Sequence, residues 1–185
     1  GSSFDMTDIG GELSQATTDS AKSPAACTTN SNYDLFVWSD SGTYRCTRGP
    51  LWSSDTARGT GAGTTELQMV AGIYTNKNAI TNGPAANRGT YVGTIRTNGS
   101  SQVDFIVGGD GAGGVAGFVG LWNAYGRVNA SLVSQDSVDS SAYASVAWRI
   151  FMNGSGNKHS FIRGLDLDGV NASAGGIFAG GAGFG

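Results

Sequence analysis

Aromatic and β-branched residues in this chain fall in short runs broken by turn formers, a pattern of strands rather than helices. The clearest case is Tyr33-Asp-Leu-Phe-Val-Trp38, which meets Ser39-Asp-Ser-Gly42 and then Thr43-Tyr-Arg-Cys-Thr47. Two strand-forming runs around a Gly-containing turn predict a β-hairpin over 35–38 and 43–47. Further strands are expected at 66–74 and 90–97, separated by the turn-rich stretch TNKNAITNGPAANRG. Residues 102–107 alternate cleanly, with Val103, Phe105 and Val107 on one face and Gln102 and Asp104 on the other. After the glycine loop 108–114, strands are expected at 118–125, 127–133, 143–151 and 160–165. In 143–151, Val146, Trp148 and Ile150 share a face. Many short strands with frequent turns predict an all-β chain, an antiparallel β-sandwich of jelly-roll type, rather than βαβ units.

The ends read differently. Residues 1–32 are polar and without sustained periodicity, which predicts an N-terminal extended arm or linker ahead of a domain spanning 33–185. The domain closes in a Gly-rich tail, GVNASAGGIFAGGAGFG, where glycine permits close backbone approach, as against another subunit.

Composition agrees with the pattern. The 185 residues include 31 glycines and only 14% charged residues, whereas about a quarter is usual. Glycine costs about 1 kcal/mol relative to alanine inside a helix, so this richness opposes helices. The net charge of −3 gives no electrostatic case for nucleic acid. No apolar run of about 18 residues exists to insert into a membrane, and no signal peptide is expected from the opening residues. Cys27 and Cys46 leave pairing open; a reducing cytoplasm favours thiols.

Chemistry is hard to assemble from these residues. His159 is the single histidine and sits in a turn, NGSGNKHSF, which suits a surface loop better than a nucleophilic triad. One His and two distant Cys fall short of the four ligands of a structural zinc site, so no metal is expected. The carboxylates are nearly all aspartates, many of them at turn positions, and no local motif pairs them for glycoside hydrolysis. Asp166-Leu-Asp-Gly169 resembles a calcium-loop start, but the twelfth position holds Ile177 instead of an acid. The glycine loop lacks the Gly-Lys-Ser/Thr ending of a phosphate cradle, so no cofactor is expected. No catalytic group is assigned.

Aromatic residues beside polar ones are the better binding candidates, since sugar rings stack on Trp and Tyr while Asp, Asn and Arg hold hydroxyls. Two groups qualify: Trp52 with Asp55 and Arg58, and Trp122 with Asn123, Tyr125 and Arg127. For each tryptophan the competing reading is core packing.

The blocks YDLFVWSDSGTYRCTRGPLWSSDTARG, NRGTYVGTIRTN and GLWNAYGRVN, in that order, resemble a recurrent domain of tailed-bacteriophage virion proteins of the tail-fibre, head-fibre or minor structural type. The likeness spans roughly residues 33–170. It implies a non-enzymatic virion surface component, made in the bacterial host cytoplasm: a fibre or spike subunit in host attachment, or a decoration protein that stabilises the particle. It further implies a homo-oligomer with a trimer favoured, other virion proteins held through residues 1–32, and a cell-surface glycan as the receptor class.

Overall fold

A computed structural model describes residues 13–138, 154–166 and 168–169. The strand expected at 143–151, the first twelve residues and the tail from 170 onward lie outside the described residues.

Among the described residues the secondary structure is entirely β, without helix. The main sheet is antiparallel. Strands β1 (Asn32–Asp40) and β2 (Thr43–Leu51) form the expected hairpin, turning through Ser41 and Gly42, both at positive φ. Such a two-residue turn matches the right-handed strand twist. Strands β3 (Leu67–Val70), β4 (Ile73–Asn76) and β5 (Thr90–Arg96) complete the order β2-β1-β5-β4-β3. A single strand was expected over 66–74; it is instead a second hairpin, because Ala71 and Gly72 take the same left-handed turn.

Two small sheets follow. Strands β6 (Phe105–Ile106) and β8 (Gly117–Val119) pair antiparallel, and β11 (His159–Phe161) joins β8 in parallel. Strand β7 (Asp110–Gly111) pairs in parallel with β10 (Gln135–Asp136). These parallel pairs depart from the antiparallel expectation; each joins segments far apart in the chain, which a tight hairpin cannot do. The strand expected at 118–125 is split, with β9 (Leu121–Asn123) peeling from β8 at Gly120 to pair with β5. The far edge of β5 is therefore shared: β4 meets it at Thr90, and β9 at Gly93–Ile95. No strand forms over 127–133.

The pleat of β1, with a register shift in β5 between Gly93 and Tyr91, sorts the core onto two faces. Tyr33 opposite Ile95 packs with Cys27, and Leu35 borders them. On the other face Phe36 opposite Tyr91 packs with Ile80, their rings edge to face with centroids 6.2 Å apart. The loop covering that face is held by buried Asn76, whose Nδ2 donates to the Asn78 and Ala85 carbonyls and whose Oδ1 accepts from the Gly89 amide.

Part of the expected arm is committed to this fold. Residues 15–27 strap across β2, centred on Arg48. Its buried guanidinium donates to the carbonyls of Ala16 (3.2 Å), Asp19 (2.9 Å) and Ala25, and lies 5.5 Å from the Tyr33 ring centroid. Its backbone amide donates to the Oγ of Ser23, which is fully buried. The strap shields an edge strand that already carries Pro50, and proline removes a ladder donor there. Cys27 and Cys46 are free thiols, and burial pushes both above the ordinary thiol range.

Candidate functional site

The two sequence-nominated groups occupy different environments. Trp52, Asp55 and Arg58 follow β2, where the chain folds back over the Phe36–Tyr91 face. Arg58 stacks over Trp52, its guanidinium carbon 4.3 Å from the ring centroid, and lies 5.7 Å from that of Tyr91. Its Nε and Nη2 donate to the two carboxylate oxygens of Asp34 at 2.7 and 3.0 Å, and Nη2 also reaches the Gly164 carbonyl. Asp34 is fully buried and accepts from Thr65 Oγ1 (2.8 Å) and Thr94 Oγ1 (2.7 Å). The Tyr91 hydroxyl bonds Thr94 Oγ1, and burial, reinforced by the Asp34 carboxylate, raises it above the ordinary phenol range.

Trp52 is itself buried at 7% exposure. Its indole thus packs inside the fold against the Arg58 fork, with Nε1 lacking a hydrogen-bond partner, and a stacking ligand finds no open ring there. Asp55 stays at the surface but is clamped by Arg96, whose Nη1 and Nη2 donate to its two oxygens at 2.6 and 3.2 Å. Those bonds hold its carboxyl below the usual range. What organises this cluster is Asp34, Thr65, Tyr91 and Thr94, none of them nominated from sequence. No local signal marks them: Asp34 pairs with Thr94 across strands, 60 residues apart, and finding that pair requires knowing the register.

The second group is a surface assembly. Strand β9 carries Trp122 and Asn123, and the chain then turns sharply. Asn123 Oδ1 accepts from the amides of Tyr125 and Gly126, each at 2.9 Å, which is an Asx turn. The turn projects Tyr125, which is 62% exposed. Arg127 returns over Trp122, its guanidinium carbon 5.3 Å from the ring centroid. Asp168 ties the pair together: Oδ1 accepts from Arg127 Nη2 at 2.6 Å and Oδ2 from Trp122 Nε1 at 3.0 Å. Asp168, read from sequence as a turn residue, is the anchor here, 41 residues from Arg127. The turn is pinned to the scaffold by β9, where Gly93 permits the Trp122 carbonyl to lie against β5; an added Cβ would collide with that oxygen.

The glycine loop 108–114 is not an isolated tip. It packs backbone to backbone against 154–157, where a Cβ at Gly154 or Gly156 would strike the Gly113 or Gly114 carbonyl. Asp136 joins them, accepting from the Gly113 and Val138 amides at 3.0 and 2.9 Å and from Asn157 Nδ2 at 2.7 Å. His159, at the start of β11, accepts through Nδ1 from the Gly117 amide.

Among the described residues no group of three His, Cys, Asp or Glu side chains is placed to hold a metal ion. A cleft of about 160 Å³ between the strap and the end of β2, walled by Pro24, Ala26, Tyr33, Pro50 and Leu51, presents no charged side chain. No family model, curated protein or solved structure matches the chain.

Proposed function

We propose that the protein is a non-enzymatic virion surface component, a fibre or spike subunit that contacts the host cell surface. One observation carries the attachment half of this reading: Tyr125 stands exposed on a turn braced by Trp122, Asn123 and Arg127 and fixed to the main sheet through β9. Recognition groups are commonly held in this way, on loops positioned by a rigid scaffold. The phage half rests on the resemblance over residues 33–170.

The same reading includes a jelly-roll-like sandwich, with the β6-β8-β11 sheet as the second layer. That sheet is linked to the main one where the Arg96 amide donates to the Gly120 carbonyl. It also includes a symmetric homo-oligomer, a trimer, in which many weak sites act together, and other virion proteins held through residues 1–32.

The alternative is a decoration protein that stabilises the particle without touching a receptor. The test is competition: purified protein is added to host cells before particles. Attachment predicts cell binding and fewer adsorbed particles; absence of both, with the protein located on the particle by labelled antibody, selects decoration.

A further inference from the structure

We infer that the Tyr125 turn binds a pyranose bearing a carbonyl or carboxylate acceptor, of the N-acetylhexosamine or hexuronate kind. This deepens the attachment reading and rests on it for its biological meaning. The argument starts from which polar atoms are already committed. Asn123 Oδ1 is occupied by two backbone amides, so the NH₂ is the polar group this exposed side chain has left to offer. Arg127 bonds Asp168 through Nη2, and its side chain remains about half exposed, with Nε and Nη1 available as donors. Both Asp168 oxygens already accept, one from Arg127 and one from Trp122.

The turn therefore presents donors, together with one exposed aromatic face in Tyr125. A pyranose suits the ring because its C–H face stacks on an aromatic surface. Among pyranoses, those with an acetamido carbonyl or a carboxylate supply the acceptor that planar amide and guanidinium donors prefer. The Arg127 charge is already partnered by Asp168, so a carboxylate is not required and an acetamido group serves as well.

The site is also prepared in advance. The Asx turn fixes Tyr125, the Trp122–Arg127–Asp168 triangle fixes the donors, and β9 fixes both to the sheet. Little ordering is left for the ligand to impose, which favours weak but geometrically selective binding.

The full chain is titrated with N-acetylglucosamine oligomers, hexuronate oligomers and unsubstituted glucose oligomers while amide and indole NMR signals are followed. Expected are shifts at the Trp122 indole and Gly126 amide with one of the first two and not with glucose. Loss of that binding as salt is added assigns a carboxylate, and its persistence assigns an acetamido group. Tyr125→Ala should weaken the response by up to about tenfold, the order of one aromatic contact, while Tyr125→Phe keeps it. No response, an equal response to glucose oligomers, or a response indifferent to Tyr125→Ala overturns the inference. Failure is separable from failure of the function: cell binding that survives Tyr125→Ala sinks this site alone, whereas sugar binding without cell binding sinks attachment alone.

Discussion

Asp34 and Arg58 meet fork to fork inside the protein, with both carboxylate oxygens bonded twice over: to the guanidinium and to Thr65 or Thr94. Such a pair is not a large net source of stability, because desolvating two charges offsets most of their attraction. Breaking it is a different matter. Asp34→Ala leaves a largely buried guanidinium without its counter-charge and should lower unfolding stability by about 3–5 kcal/mol, measured by chemical denaturation. A loss under about 1 kcal/mol would mean that water reaches Arg58 freely.

Arg48 invites a comparison of two cations. Lysine keeps the charge but is a compact point donor, unable to span three carbonyls as the planar fork does. Arg48→Lys should loosen the 15–27 strap, and Cys27 at its end, packed against Tyr33 and Ile95, reports the change. In the parent chain the thiol is buried, with its ionisation pushed up, so it should react slowly with a thiol reagent near neutral pH. The variant should react much faster at Cys27, with new protease cuts between Thr17 and Ala25.

Acid should act at Asp136. The Val138 amide, helped by Asn157 and Gly113, holds this carboxyl below the ordinary range despite some desolvation. Its folded-state pKa is thus below the unfolded value of about 3.9. The contribution is complete above that unfolded value and disappears as pH falls through the lower folded one. The hydrogen-exchange protection factor at Gly113, which corrects for the slower intrinsic exchange in acid, should fall on acidification below about pH 4, and Asp136→Ala should show the low protection at neutral pH already.

Gly156→Ala tests the backbone contact between the two glycine loops. The added methyl has no flexible neighbour to displace, only the Gly114 and Gly113 carbonyls. A destabilisation of about 1–3 kcal/mol is expected, with amide shifts concentrated in 108–114 and 154–157.

How far the chain announced all this varies by element. The first hairpin was legible because Ser41-Gly42 is ordinary turn chemistry between two aromatic runs. The second was hidden by Ala71, which takes a left-handed conformation that alanine seldom adopts, so only Gly72 marked the turn. Parallel pairing of β8 with β11 leaves no local trace, since its partners share no turn. For the candidate site, Trp122, Asn123, Tyr125 and Arg127 were visible as a cluster of types, whereas Asp168 enters only by tertiary folding. Trp52 and Arg58 showed the same residue chemistry and came out internal, because composition cannot say which side of a sheet a side chain faces.

The reach of Arg58 to the Gly164 carbonyl has a consequence for how the protein is made. The two residues are 106 positions apart. At about 5–20 residues per second, a ribosome needs roughly 5–20 s to travel between them. Throughout that interval the nascent chain has Arg58 and Asp34 but not the carbonyl that caps them. Arrest of synthesis before residue 164 should therefore yield a chain in which the Arg58 cluster is incomplete, prone to capture by chaperones. The internal network around the first hairpin thus cannot be completed until residue 164 has been made.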